Sequence, residues 1–222
     1  MPRSARCIAV FSIAVLLLTS GLTCQASAPE PAAAAYVLME ADSGRVLLAR
    51  NEEQRRSIAS TTKIMTCLVA LEHSTLTDKV TVRREHLREG SSMYLAEGES
   101  LTMEELLYGL MLPSGNDAAE CIAAHCGGSG GSKQFIAWMN EKAASLGMTH
   151  TAFLNPSGLD ESGHGSCALD MARLAACAMQ DPTFARIVST RTACVGARTM
   201  TNHNKPVSYT HLRAHETSQY LV

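Results

Sequence analysis

The stretch Ser60-Thr61-Thr62-Lys63-Ile64-Met65-Thr66 decides how this chain is interpreted. Apolar residues follow it at helical spacing, so we predict a helix over residues 60–71. Its apolar face carries Ile64, Leu68 and Leu71. Ser60 and Lys63, three residues apart, share a face of such a helix. A serine hydroxyl needs a base to become a nucleophile, and a lysine amine is one when burial lowers its pKa. The pattern predicts an acylation site with Ser60 as nucleophile and Lys63 as base, although a serine cap on a solvated helix also fits.

A second pattern, Ser114-Gly115-Asn116, is the only Ser-x-Asn of the chain and falls in a break between two predicted helices. There a hydroxyl can relay a proton to a leaving amine, and an amide can hold a substrate carbonyl or Lys63. An ordinary turn followed by a helix cap is the alternative. Ser-x-x-Lys followed by Ser-x-Asn is the motif order of penicillin-binding proteins and class A β-lactamases.

The elements around these motifs predict an α+β domain with an antiparallel sheet and a helical block. Two β-rich runs, 36–39 and 45–49, flank the turn residues Asp42-Ser43-Gly44 and indicate a hairpin. Periodicity and caps then predict helices over 102–112, 116–125, 132–146 and 168–179, with Asn116 or Asp117 capping the second of these. Strand-like residues return at 192–199. A hairpin first and helices between strands favour this class.

Composition limits the classes of function. The 222 residues are 46% hydrophobic and 18% charged, with a net charge of −2, so there is enough apolar material for a core. No basic excess exists to displace counterions from nucleic acid, and aromatic residues make up only 5%. We therefore expect no nucleic-acid partner.

The N-terminus predicts export. Arg3 and Arg6 precede a short apolar run, and Ala26-Ser27-Ala28 resembles a cleavage site, so residues 1–28 are interpreted as a signal peptide. A cut within 32–35, a lipoprotein signal at Cys24 and an uncleaved anchor are the alternatives. The chain is expected to work outside the cytoplasm.

The cysteines predict packing rather than metal chemistry. Of eight cysteines, six follow residue 28, and none lies in a Cys-x-x-Cys pair. Sequence does not choose a disulfide pairing among the six, although Cys121 and Cys126 lie too far apart around their helix to pair with each other. Most are interpreted as small buried hydrophobic residues. We expect no metal and no cofactor.

With these motifs in place, residues 36–205 resemble the exported serine D-alanyl-D-alanine carboxypeptidases, the low-molecular-weight penicillin-binding proteins. The matching segments are Leu38 to Gly44, Ser60 to Thr66, Gly90 to Leu95, Leu112 to Ala119, Asn155 to Asp160 and Thr201 to Asn204. The resemblance implies the β-lactamase and DD-peptidase fold. It also implies that the partners are peptidoglycan stem peptides and β-lactams.

The resemblance also implies the site residues. Ser60 would attack the penultimate D-alanine and release the terminal one, with Lys63 as base and Ser114 and Asn116 as proton relay and substrate clamp. Ser157 and Gly158 would bind substrate. Water would then hydrolyse the acyl-enzyme, and β-lactams would acylate the same Ser60. His164, between two glycines, is expected to lie in a loop on the substrate side.

The chain departs from the family pattern at its C-terminal end. The family has a Lys-Thr-Gly strand shortly after Thr-Asn-His-Asn, and no Lys-Thr-Gly occurs here. We therefore interpret residues 29–205 as an incomplete catalytic domain that lacks C-terminal strands, and we expect weak or no activity. Residues 206–222 are interpreted as a foreign, artefactual tail, in which His211, His215 and Glu216 only mimic a metal-binding face. Peripheral membrane association would belong to the longer parent protein.

Two other functions compete with the carboxypeptidase. A β-lactamase needs a base that speeds deacylation, and no convincing glutamate motif follows Ser114. A non-catalytic module that binds the cell wall is the other alternative. The lifetime of a penicillin adduct on Ser60 separates the first from the peptidase, and a Ser60→Ala variant with full biological effect would favour the second.

Overall fold

The computed structural model describes residues 31–204. The chain divides into two units, Met1–Ala32 and Ala33–Val222, and every element below lies in the second. The predicted signal peptide 1–28 and the tail 206–222 lie outside the described residues. The helices are α1 (Thr62–His73), α2 (Met103–Met111), α3 (Asn116–Cys126), α4 (Gly131–Ser145), α5 (Ala168–Ala178) and α6 (Pro182–Ser189). No helix among residues 31–204 has the length and apolar character needed to cross a bilayer.

The strands form three separate antiparallel pairs in the described part of the chain. They are β1 (Tyr36–Met39) with β2 (Val46–Arg50), β3 (Lys79–Thr81) with β4 (Ser100–Thr102), and β5 (Thr192–Val195) with β6 (Arg198–Thr201). The pairs Leu38–Leu48, Val80–Leu101 and Ala193–Met200 set their registers. The α+β class is confirmed, but the expected sheet is divided into two-stranded units.

Helix α1 is the centre of the fold. It packs against α2, α3, α4 and α5. The predicted face packs on the core, with Leu68 buried and Ile64 and Leu71 partly buried, but it is only part of the buried surface, because α1 is buried almost all the way round. A helix that is enclosed by others needs no solvent-facing stripe. Burial on all sides brings the polar start of α1 into the interior, where it needs hydrogen-bond partners.

The helix starts follow local sequence signals. Thr102 and Glu105 form the predicted capping box of α2: the Glu105 carboxylate accepts from the Thr102 N–H at 2.7 Å, and Thr102 Oγ1 accepts from the Glu105 N–H at 3.2 Å. Helix α6 was not predicted, although Asp181 caps it and Pro182 stands at its first turn. The cap predicted for α3 is wrong. Gly115 is the N-cap, and it makes no capping bond because it has no side chain; the side chains of Asn116 and Asp117 bond other groups.

The cysteines follow the prediction only in part, since three of the six are buried, Cys126 and Cys177 are partly buried and Cys194 is exposed. All six in the described residues are free thiols, and Cys67, Cys121 and Cys167 are buried. Burial raises the pKa of the Cys121 thiol to about 12 and that of Cys126 to about 11, which keeps both neutral. Cys67 and Cys121 fill space in the core, and Cys126 and Cys177 pack against it.

Candidate active site

Ser60 lies in a short 3-10 turn, Ala59–Thr61, that leads into α1. The prediction that the α-helix begins at Ser60 is therefore wrong by two residues. Ala59 has φ of +42°, a strained backbone conformation for a residue with a side chain. The serine is exposed while Thr62 and Lys63 behind it are buried. The turn presents a reachable hydroxyl above an enclosed amine.

Lys63 is the largest polar side chain in the interior, with 2% of its surface exposed. Its Nζ lies 3.2 Å from Ser60 Oγ, 2.8 Å from Asn116 Oδ1 and 2.7 Å from the Ser157 carbonyl oxygen. The two shorter contacts go to oxygens that only accept, whereas the third goes to a hydroxyl that also donates. A neutral amine fits this arrangement: its two N–H bonds reach the two carbonyl oxygens, and its lone pair is left for Ser60.

Burial makes the neutral amine accessible near neutral pH. Desolvation lowers the pKa of Lys63 from 10.5 to about 8, and the Asp117 carboxylate opposes the shift. A lysine with such a pKa has a useful neutral fraction at pH 7 to 8. The pairing of Ser60 with Lys63, predicted from spacing, is present in the structure.

The turn at residues 155–158 packs against the start of α1. Thr66 Oγ1 donates to the Pro156 carbonyl at 2.6 Å. Gly158 has φ of +84°, and a Cβ there would lie 1.9 Å from the Ala59 carbonyl oxygen, so only glycine fits. Ser157 is 1% exposed. These contacts place Ser157 and Gly158 beneath the Ser60 turn, and their predicted role in binding substrate stays a prediction.

Asn116 and Asp117 fix a loop on the other side of Lys63. The Asn116 side-chain amide donates to the Glu89 carbonyl at 2.8 Å, which leaves its oxygen for Lys63. The Asp117 carboxylate accepts from the N–H groups of Met93 and Leu95, each at 3.1 Å, and from the Ser92 hydroxyl at 2.6 Å. Sequence reasoning missed this role of Asp117, since an acidic residue at a helix start resembles a cap.

Ser114 is strained and its hydroxyl is unpaired. Its φ is +61°, and its buried Oγ has no hydrogen-bond partner among the described residues. An unsatisfied buried hydroxyl and a strained backbone together are typical of functional positions. Ser114 stands two residues before Asn116, which contacts Lys63. The hydroxyl is thus free to bind a group that the protein does not provide.

A cavity of about 400 Å³ is bounded by Ser92, Tyr94, Pro113 and residues of β6. Tyr94 is 83% exposed with φ of +61°. Arg198 at the start of β6 donates to the Tyr94 carbonyl at 2.8 Å and pairs with Glu99 at 2.7 Å. Strand β6 therefore forms one wall of this cavity.

Two other groups of polar side chains lie near these elements. His164 Nε2 is 2.8 Å from Thr62 Oγ1, so the loop singled out by sequence does reach the start of α1. His150, Cys167 and Asp170 bring ligand atoms within 4.8 Å of one another. Asp170 already accepts from the His150 N–H, from Thr151 and from Arg173. These bonds indicate that the aspartate joins the loop to α5.

The known proteins to which this chain is similar are D-alanyl-D-alanine carboxypeptidases. A family model described as D-alanyl-D-alanine carboxypeptidase matches residues 23–216. The D-alanyl-D-alanine carboxypeptidase DacF of Bacillus subtilis is 42% identical over 146 residues, which cover 63% of this chain and 37% of that protein. The corresponding DacD of Escherichia coli is 35% identical over 217 residues, covering 90% of this chain and 55% of that protein.

Solved structures that resemble this one belong to the same kind of enzyme. A D-alanyl-D-alanine carboxypeptidase from Mycobacterium tuberculosis matches with a TM-score of 0.78 and 33% identity, over 84% of this chain and 73% of that one. A mutant of the Streptomyces K15 DD-transpeptidase matches with a TM-score of 0.77 and 34% identity, over 82% and 79%. The chain spans only 37% and 55% of the two curated relatives above.

Proposed function

Because the chain belongs to the D-alanyl-D-alanine carboxypeptidase family and has the α+β fold of DD-peptidases, we propose that it is a serine hydrolase acting on peptides that end in D-alanyl-D-alanine. The substrate would be a peptidoglycan stem peptide, and β-lactams would acylate the same serine. The observation that carries the proposal is the geometry at Lys63, whose amine has two carbonyl acceptors and one hydroxyl neighbour, Ser60.

The first step follows from this geometry. The neutral amine of Lys63 takes the Ser60 hydroxyl proton as Ser60 Oγ bonds to the carbonyl carbon of the penultimate D-alanine. Asn116 and the Ser157 carbonyl stabilise the ammonium that forms, since both already accept from Nζ. The C–N bond then breaks and the terminal D-alanine leaves with a proton.

The proton reaches the leaving amine through Ser114 in this proposal. Its hydroxyl is unpaired among the described residues and stands two residues from Asn116. A hydroxyl both donates and accepts, so it can pass a proton between Lys63 and the departing nitrogen. Water then attacks the Ser60 ester, and the same groups return the proton to Ser60.

The proposed place of action is outside the cytoplasm, where peptidoglycan is found. The support is the signal-like sequence of residues 1–28. Residues 29–205 are proposed as the catalytic part. No Lys-Thr-Gly occurs in the 222 residues, so we expect slower acylation than in a relative that has one.

Labelling with a fluorescent penicillin tests the proposal. The purified chain should gain the mass of one penicilloyl group on Ser60, and Ser60→Ala and Lys63→Met should gain none. Ser189→Ala, a change at an exposed serine at the end of α6, should label as the parent does. No adduct on Ser60 after prolonged incubation would overturn the proposal.

The lifetime of the adduct and the release of D-alanine separate the alternatives. Retention for hours, together with D-alanine released from an N-acylated D-alanyl-D-alanine peptide, supports the carboxypeptidase. Loss of the adduct within seconds would instead identify a β-lactamase. A chain that binds peptidoglycan equally well with and without Ser60, and that releases no D-alanine, would be a non-catalytic wall-binding module.

A further inference from the structure

His164 joins the two segments that position Lys63. Its Nδ1 accepts a hydrogen bond from the Leu154 N–H at 3.1 Å, and its Nε2 lies 2.8 Å from Thr62 Oγ1. Because a neutral imidazole has one donor and one acceptor, acceptance at Nδ1 places the proton on Nε2, which donates to Thr62. The ring is therefore held in one tautomer by two partners on different segments.

The two partners of His164 matter because of their neighbours. Thr62 stands between Ser60 and Lys63, and its side chain is fully buried. Leu154 leads into the turn whose Ser157 carbonyl accepts from Lys63. The imidazole thus links the start of α1 to the segment that leads into the 155–158 turn, and Lys63 links the same two parts of the chain.

We propose that His164 is a positioning residue for acylation: as a neutral imidazole it holds the start of α1 against the 155–158 turn, and its protonation releases this contact. The inference rests on the proposed function, because it concerns the alignment of Ser60 with Lys63. It adds a residue that touches neither the nucleophile nor the base.

Protonation changes the contact in a defined way. The imidazolium carries N–H on both nitrogens, so its Nδ1–H faces the Leu154 N–H and that hydrogen bond is lost, while the donation to Thr62 remains. Burial lowers the pKa of His164 below its usual 6.5; Glu161 and Asp160 oppose this shift and Arg55 supports it. The contact is therefore complete above pH 6.5 and is lost as pH falls through the lowered pKa.

The pH dependence of penicillin acylation tests the proposal. Below the pKa of Lys63 the rate should fall tenfold per pH unit, and below the pKa of His164 the fall should steepen toward a hundredfold per unit, because two groups must then lose protons. His164→Asn and His164→Gln do not titrate, so both should keep the tenfold slope and react more slowly at pH 8.

His73→Gln provides the matched control, since His73 is exposed at the far end of α1 and stacks on Trp138. This variant should keep the steeper acid slope. A parent protein with the tenfold slope down to pH 5, or His164 variants with the steep slope, would overturn the proposal. Circular dichroism at each pH restricts the comparison to folded protein.

Hydrogen exchange gives a readout that does not need activity. After correction for intrinsic exchange, protection of amides 58–66 should fall about tenfold between pH 7.5 and pH 5 in the parent protein and stay constant in His164→Asn. Protection independent of pH in the parent contradicts the role of His164, even when Ser60 is acylated. If the expected exchange is seen but Ser60 never gains an adduct, the positioning contact stands and the proposed function fails.

Discussion

Two loops are attached to the residues around Lys63, and they are fastened in different ways: the 91–95 loop is bound by Asp117, next to Asn116, and the 155–158 turn contains Ser157. Most of the bonds that hold the loop at 91–95 go to one carboxylate, Asp117, which accepts from two backbone N–H groups and one hydroxyl. Arg198 and the Asn116 N–H add bonds to the Tyr94 and Ser91 carbonyls. The turn at 155–158 is held by several side chains that each make one contact, including Thr66 and Lys63. The first loop has three of its attachments on one residue, Asp117, whereas the second distributes its attachments over several residues. Substitutions should therefore be severe on one side of the site and graded on the other.

The largest effect is expected from Asp117→Asn. An amide nitrogen cannot accept, so some of the donors around residue 117 lose their partner in a buried position. The free energy of unfolding should fall by about 3 kcal/mol, measured by urea denaturation. The control is Asp42→Asn at an exposed turn residue, which should change the free energy of unfolding by less than about 0.5 kcal/mol. Equal losses in the two variants would contradict the concentrated attachment.

Gly158→Ala tests the distributed side. Its Cβ would lie 1.9 Å from the Ala59 carbonyl oxygen, so the turn below Ser60 must move. We expect a loss of stability of about 2 kcal/mol and slower penicillin acylation. Gly44→Ala separates strain from collision, because Gly44 also has positive φ, +69°, but nothing lies within 4 Å of its Cβ position. That control should cost about 1 kcal/mol and leave acylation unchanged. Similar acylation rates for both variants would show that the close approach of Gly158 to Ala59 does not position Ser60.

The amine between the loops should set the rate over a defined pH range. With a Lys63 pKa of about 8, the neutral fraction rises roughly fifteenfold from pH 6.5 to pH 8. Acylation by penicillin should rise by the same factor and level off above that pKa. Lys133→Met, at an exposed position on α4, should leave the profile unchanged. A rate that is flat between these two pH values would argue against Lys63 as the base.

The smallest effect is expected from Thr66→Val. The substitution removes the hydrogen bond to the Pro156 carbonyl and leaves that oxygen buried, so we expect a loss of about 1 kcal/mol. Thr77→Val, at an exposed position, should be neutral within about 0.5 kcal/mol. A loss as large as that of Asp117→Asn would show that the second loop also depends on a single contact.

The local part of the site could be predicted from sequence. Ser60 and Lys63 are three residues apart, and the 3-10 turn followed by the first turn of α1 brings them together locally. The prediction of a capping box at Thr102 and Glu105 is confirmed for the same reason, since it also depends only on residues three apart. Helix α6 carried equally local signals, Asp181 and Pro182, that sequence reasoning did not use.

The contacts between distant segments could not be predicted in this way. Nothing in the spacing of Thr66 or Asp117 shows that one bonds the Pro156 carbonyl and the other fastens the 91–95 loop. Strands β3 and β4 were missed because each has only three residues and begins with an exposed polar residue, Lys79 in β3 and Ser100 in β4. In these places tertiary packing, and not local pattern, decides which groups meet.

The partners of Lys63 have a consequence for how the protein acquires its reactivity. Asn116 and Ser157 lie 53 and 94 positions along the chain from the lysine. These contacts form only when distant segments of the chain come together, at an entropy cost of loop closure. Until then Lys63 is an ordinary solvated ammonium and Ser60 an inert alcohol. A penicillin would therefore label Ser60 only in molecules that have finished folding. The extent of labelling would measure the folded fraction of the protein.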